Sequence, residues 1–301
     1  MPNILSIKDF TLDEIFSIFK LTDQLKKKSE PSLLKGKILA NCFFEPSTRT
    51  RLSFEVAMLK LGGQVTNFVD LKSTSSSKGE SLRDTLKIIG SYVDVIVLRH
   101  PKEGASKLAQ EISPVPIINA GDGSNQHPTQ TLLDLYTIHE AQKKLEGLHV
   151  ALSGDLKYGR TVHSFAYIAH LFNMRLYFIS PLGLEMPDPV LKELRNQKVK
   201  FSIHQELEEI LPRLDVLYMT RVQKERFGKA SFKEETEKSI IVTRDLLKGA
   251  KKSLQILHPL PRNEEIHPSV DETPFASYFQ QAQNGLYVRE ALLASVLGAK
   301  T

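Results

Sequence analysis

The chain has 301 residues, 41% hydrophobic and 25% charged, with 40 Lys and Arg against 35 Asp and Glu for a formal net charge of +5. That composition describes a soluble globular protein with room for two domains of about 150 residues. No apolar run approaches the roughly 18 residues that span a bilayer, and residues 1–10 lack the basic flank and apolar stretch of a secretory signal, so a cytoplasmic location is expected.

The first periodic pattern is a helical stripe of Ile15, Ile18, Phe19, Leu21, Thr22 and Leu25, ending in Lys26, Lys27 and Lys28 as a solvated terminus. Short apolar runs at 37–43, 64–69, 93–98 and 115–118 then alternate with amphipathic segments. A second series follows at 148–152, 176–179, 199–203, 216–219 and 254–257. Strands separated by helical crossovers form parallel sheets, so the expected fold is α/β in two similar domains, each a parallel sheet flanked by helices. Residues 1–130 are assigned to the first domain and 131–284 to the second. A last helix over 285–297 rests on Leu286, Arg289, Leu292, Leu293 and Val296.

Cys42 has no partner cysteine and lies in the first strand, where it reads as a small buried hydrophobe. No zinc-ligand spacing is present, and no metal or other cofactor is expected. The net positive charge comes without a long basic block or basic-aromatic interleaving, so neither a nucleic acid nor a membrane is expected as a partner. Anionic substrates suit it better.

In open α/β sheets, ligands bind beyond the carboxyl ends of strands, and polar residues placed there are the candidates for chemistry. After the first strand comes Phe43-Phe44-Glu45-Pro46-Ser47-Thr48-Arg49-Thr50-Arg51, running into a helix read from Leu52, Val56 and Leu59. The first N–H groups of a helix have no intrahelical partner and its dipole favours an anion. Ser47, Thr48 and Thr50 add hydroxyl donors, and Arg49 adds the forked donor that fits phosphate oxygens; Arg51 reads as structural or solvated. Residues 73–77 are a short polar loop leading to Lys78-Gly79-Glu80. Arg99 closes the third run, and a glycine-rich stretch at 119–130 reads as a flexible loop entering a helix near Pro128, with His127 and Gln130 able to face one ligand. In the second series, Gly154 to Ser164 lacks the Gly-x-Gly-x-x-Gly pattern, which argues against a nicotinamide enzyme. Arg221 follows a strand, and His258-Pro259-Leu260-Pro261-Arg262 follows another, where prolines leave carbonyls free to accept from an amide.

The pattern Phe-x-Glu-x-Ser-Thr-Arg-Thr, met without departure at 43–50, resembles that of the transcarbamoylases, and the similarity extends over essentially the whole chain. The resemblance implies that Ser47, Thr48, Arg49, Thr50, Ser75 and Arg99 bind carbamoyl phosphate. It gives the carbamoyl oxygen to His127 and the carbamoyl amide to Gln130, Leu260 and Pro261, with a cis bond between the last two. Which hydroxyl among Thr74, Ser75, Ser76 and Ser77 reaches phosphate stays open. The segment around Arg160 is similar to that of the aspartate-using branch, which implies that Arg160 holds the α-carboxylate of aspartate and that Arg221 and Gln223 hold its side-chain carboxylate. Lys78 is implied to enter a neighbouring subunit's site in a homotrimer and to bind aspartate there, and the last helix to return to the first domain. The expected reaction is transfer of the carbamoyl group to L-aspartate in pyrimidine biosynthesis, with Arg49, Thr50, Lys78, Arg99 and His127 as the catalytic set. Ornithine as acceptor, or a catalytically silent protein on the same scaffold, is the alternative. A separate regulatory chain or pathway-enzyme partner is left open.

Overall fold

A computed structural model of the chain describes residues 3–69, 79–222 and 240–299. They divide into two compact units, Met1–Leu133 with Gln283–Thr301, and Asp134–Ala282. The parallel α/β architecture expected from the alternating runs is what the chain forms.

In the first unit, β1 (Ile38–Phe43), β2 (Gln64–Phe68), β3 (Val95–His100) and β4 (Ile117–Asp122) build a parallel sheet of order β2-β1-β3-β4. The chain runs outward from β1 to β2 and then returns to the other side of β1 to lay down β3, so the order reverses between β1 and β3. One face packs Ala40, Cys42, Ile96, Leu98 and Ile117 against Leu86 and Ile89 of α3 (Leu82–Gly90) and Ala105 and Ala109 of α4 (Ala105–Ile112). Cys42 is fully buried, and burial pushes its thiol up to about 12, so no thiolate nucleophile exists there near neutral pH.

Helix α1 (Leu12–Lys27) starts with a capping box, Thr11 accepting from the Glu14 N–H while the Glu14 carboxylate accepts from Thr11 N–H. The expected stripe is its buried face, Leu21 excepted, which is half-buried. Helix α2 (Thr48–Lys60) lies where predicted but turned to another face: it buries Phe54, Ala57 and Met58, while Leu52 and Leu59 are 51% and 54% exposed. The helix carries two apolar stripes, and the bulkier one, containing Phe54, is the one that packs.

Helix α8 (Tyr278–Val296) begins seven residues before the predicted start at 285. Its first turns bury polar groups, Gln281 and Asn284, that hydrophobic periodicity does not register. From Gln283 onward it belongs to the first unit, where Lys26 Nζ reaches Asn284 Oδ1 at 3.2 Å and Lys60 Nζ reaches the buried Glu290 at 3.0 Å. The Arg289 guanidinium stacks 5.2 Å from the Phe54 ring centroid. Lys26 thus holds the returning helix; the solvated terminus consists of Lys27 and Lys28.

In the second unit, β5 (His149–Ser153), β6 (Arg175–Ile179), β7 (Lys200–His204), β8 (Val216–Met219) and β9 (Gln255–Leu257) form a parallel sheet of order β7-β6-β5-β8-β9. Here the order reverses between β5 and β8. Ala151, Tyr177, Ile179, Leu217, Met219 and Ile256 share a core with Leu247, Ile266, Val270 and Tyr278. On the other side α6 (Arg160–Ile168) buries Val162, Phe165 and Ala166, with Phe165 and Tyr218 rings 5.7 Å apart. Helix α7 (Asp188–Asn196) crosses from β6 to β7, and α5 (Pro128–Gln142) carries the chain from the first unit into the second. Among the described residues no helix is long and apolar enough to cross a membrane.

Candidate active site

Parallel strands all point their carboxyl ends the same way, and the two places where strand order reverses leave adjacent loops diverging from one another, which opens room for a ligand. In the first unit Phe43 is in register with Arg99 across the β1/β3 reversal, and the Phe44 N–H donates to the Arg99 carbonyl at 2.9 Å. Ser47 to Thr50 follow β1 directly, and His127 and Gln130 follow β4, the neighbour of β3. The predicted residues of this unit that the structure describes are therefore delivered from the ends of three adjacent strands.

Ser47 is the N-cap of α2, yet its side chain makes no capping hydrogen bond. Thr48 and Arg49, the first two helical residues, are exposed, and Thr50 is buried. Arg51 pairs with Glu55 at 3.4 Å along the helix. Arg99 is held from two sides: Nη2 donates to Glu45 Oε1 at 3.1 Å and Nη1 to the Ala120 carbonyl at 3.4 Å. Glu45, part of the sequence motif but given no task there, thus fixes the aim of a guanidinium.

The stretch 119–130 is not the flexible loop predicted. Strand β4 continues to Asp122, with every residue buried, and α5 starts at Pro128. Asp122 orders the turn between them: Oδ1 accepts from Gln126 N–H and Asn119 Nδ2, and Oδ2 from Asn125 Nδ2 and Gly104 N–H, all at 3.0 to 3.1 Å. Asn119 Oδ1 in turn accepts from the N–H of Gly121, whose φ of 115° requires glycine. Polar, glycine-rich composition reads as a loop, whereas here the side chains close on their own backbone. His127 and Gln130, both buried, therefore sit in a fixed turn.

The second unit repeats the arrangement. Arg160 begins α6 after β5, Arg221 follows β8, and Leu260 and Pro261 follow β9, again three adjacent strands flanking the reversal. Gly154 makes that reversal passable: a Cβ there would lie 2.0 Å from the Thr220 carbonyl oxygen, and its φ is 110°. Arg160 is buried, and the turn before it is shaped by buried Asp155, whose Oδ1 accepts from Tyr158 N–H at 2.9 Å. The Leu260-Pro261 bond is cis, and Leu260 has φ 55°, a left-handed geometry that costs an L-residue about 1–2 kcal/mol. Its N–H donates to His258 Nδ1 at 2.8 Å, which offsets that cost and leaves Nε2 as the protonated nitrogen facing Glu265 Oε1 at 2.8 Å. Ser75, Lys78 and Gln223 lie outside the described residues.

Several charged groups near these loops titrate away from their ordinary values. Burial and the Lys102 ammonium lower His100, and burial foremost lowers His149. Burial pushes the Glu265 carboxyl up, but hydrogen bonds from His258 and from the N–H groups of Glu265 and Asn263 outweigh it. Arg262 likewise holds Asp271 low. Every one of these depressed values means that the unfolded chain binds the proton more readily, so their stabilisation is complete above the unfolded pKa and is lost as pH falls through the folded one. Melting temperature should accordingly drop in two stages on acidification, the first below about pH 6.5 from the histidines and the second below about pH 4 from the carboxylates. A melting temperature that rises between about pH 7 and pH 5 would contradict this.

Residues 2–140 match the family described as aspartate/ornithine carbamoyltransferase, carbamoyl-P binding domain, and residues 146–296 its Asp/Orn binding domain. The aspartate carbamoyltransferase catalytic subunit of Chromobacterium violaceum is 53% identical over 295 residues, covering 98% of this chain and 97% of that one. The catalytic subunit of Vibrio campbellii is 53% identical over 298 residues, covering 98% and 96%. Among solved structures, the catalytic subunit of M. jannaschii aspartate transcarbamoylase superposes with a TM-score of 0.90 at 49% identity, covering 99% of this chain and 98% of that one. The Trypanosoma cruzi aspartate transcarbamoylase in complex with carbamoyl phosphate and aspartate does so with 0.91 at 37%, covering 98% and 96%. With both units matched and relatives above half identity along nearly its full length, the chain belongs to the aspartate/ornithine carbamoyltransferase family.

Proposed function

We propose that the chain is an aspartate carbamoyltransferase, moving the carbamoyl group of carbamoyl phosphate to the amino group of L-aspartate, a step of pyrimidine biosynthesis. The observation that carries the reading is the placement of arginines at both strand-order reversals: Arg99 beside the Ser47 to Thr50 turn in one sheet, Arg160 and Arg221 in the other. Two dianionic substrates call for two sets of cations, and such clamps offset the entropy cost of bringing them together.

In this reading Ser47, Thr48, Arg49, Thr50 and Arg99 bind the phosphate, joined by Ser75. His127, Thr50 and Arg99 direct hydrogen bonds at the carbamoyl oxygen, while Gln130 and the carbonyls of Leu260 and Pro261 accept from its amide. Arg160, Arg221 and Gln223 hold the aspartate carboxylates. The amine attacks the carbamoyl carbon, negative charge builds on oxygen where those donors await it, and the C–O bond to phosphate then breaks. The departing phosphate accepts the amine proton, so no protein base is assigned. Ornithine's cationic side chain is a poor match for Arg221, and the named relatives act on aspartate. Phosphate release measured with each substrate omitted in turn should require both carbamoyl phosphate and L-aspartate. Release with ornithine instead would reassign the acceptor, and none with either would overturn the enzyme reading.

A homotrimer and a cytoplasmic location belong to the same reading. Leu52 and Leu59, seven apart on α2 and half exposed, supply an apolar face of the kind a second copy covers. If Lys78 acts in a neighbour's site, mixing inactive Arg49→Ala chains with inactive Lys78→Ala chains should restore activity through hybrid sites. Silence after verified subunit exchange would rule out sharing.

A further inference from the structure

The loop after β9 and the reversal between β5 and β8 are joined by a run of hydrogen bonds inside the second unit that neither the fold nor the proposed chemistry demands. Leu260 N–H donates to His258 Nδ1 and His258 Nε2 to Glu265, both at 2.8 Å. The Glu265 oxygen also accepts from Asn263 N–H at 3.1 Å. The His258 N–H donates to Gln281 Oε1 at 2.8 Å, Gln281 Nε2 donates to Asp134 Oδ1 at 2.6 Å, and Asp134 Oδ2 accepts from the Tyr218 hydroxyl at 2.8 Å. That hydroxyl also bonds the side chain of Thr161, the residue after Arg160. Tyr218 itself lies in β8, three residues before Arg221. Glu265, His258, Gln281, Asp134 and Tyr218 are none of them more than 7% exposed.

Each link has a fixed direction. Because His258 Nδ1 must accept, Nε2 must donate; because Gln281 Oε1 must accept, its amide nitrogen faces Asp134. A buried polar group costs free energy whenever its partner is missing, so displacement of any member is penalised by the next. Apolar side chains of similar volume would fill the same space at no such penalty, and what the polar run adds is a single geometry.

We propose that Glu265, His258, Gln281, Asp134 and Tyr218 form a positioning relay that holds the amide-accepting backbone at Leu260 and the aspartate clamp at Arg160 and Arg221 in one mutual arrangement. It rests on the aspartate carbamoyltransferase reading for the roles of its two ends, but not for its existence. None of the five need touch the reacting atoms; they act through the groups they aim.

Two cuts test it, Tyr218→Phe at one end and Glu265→Leu, which leaves His258 Nε2 without its acceptor, at the other, in chain whose melting confirms folding. Each should raise KM for aspartate about tenfold, the loss of one hydrogen bond to a charged group, with kcat changed less. Because either cut breaks the same run, the double variant should stay near tenfold, whereas independent sites would multiply to about a hundredfold. Inhibition by inorganic phosphate, which uses the first unit's residues, should stay at its wild-type level. Multiplicative effects, unchanged KM, or an equal shift in phosphate inhibition would each overturn the relay. A readout free of activity separates it from the functional reading: amide hydrogen exchange at 258–262 should speed up in Tyr218→Phe, with the effect carried to that loop through Asp134 and Gln281. Unchanged exchange overturns the relay even if the wild-type chain proves inactive on aspartate, and an inactive wild type with faster exchange in the variant overturns only the function.

Discussion

Replacing Arg99 with alanine should lower kcat by roughly 100- to 1,000-fold, the cost typical of removing one preorganised donor from a developing oxyanion. The side chain is 13% exposed and braced by Glu45 and the Ala120 carbonyl, so its guanidinium is aimed before substrate arrives and pays little reorganisation. Lysine at this position keeps the charge but loses the fork, and should recover only part of the rate. Glu45→Gln retains an acceptor without its charge and should cost less than Arg99→Ala. Steady-state kinetics beside thermal melting distinguishes a misfolded variant from a disarmed one, and a loss of kcat under tenfold would remove Arg99 from the catalytic set.

The second large effect belongs to Arg160. Its alanine variant should raise KM for aspartate by roughly 10- to 150-fold, the range of a charged hydrogen bond worth about 1.5–3 kcal/mol. KM for carbamoyl phosphate should move far less, because the phosphate residues hang on a different sheet. Arg160 is buried at the first position of α6, behind the Asp155 turn and Gly159, so alanine leaves the helix start intact while removing the fork. Equal increases in both KM values would show that Arg160 supports the fold and not the acceptor.

How far these sites were legible in the sequence depends on what kind of interaction made them. Strand positions follow from short apolar runs, and the helices from periodicity, because burial of apolar area dominates both. Where burial is polar the pattern goes quiet: the first turns of α8 and the end of β4 were missed, since Gln281, Asn284, Asn119 and Asp122 are buried on hydrogen bonds. For α2 the sequence offered two apolar stripes, and only the packed structure shows that Phe54 is inside and Leu52 outside. The arginines stood out because they follow strands, but the carboxylates that aim and brace, Glu45, Asp122, Asp134 and Glu265, are distant in sequence from what they hold or look like ordinary surface acids. Glu45 could have been suspected, as an acid within a motif otherwise devoted to anions.

The two sheets each reverse strand order independently, and this separates donor from acceptor at the level of what can change. On the proposed reading the loops after β1, β3 and β4 are tied to an acyl phosphate and tolerate little. On the same reading those after β5 and β8 answer to the two carboxylates of the incoming amine. New acceptor selectivity could therefore arise by rewriting a few residues in the second sheet's loops, with the chemistry of the leaving group inherited untouched.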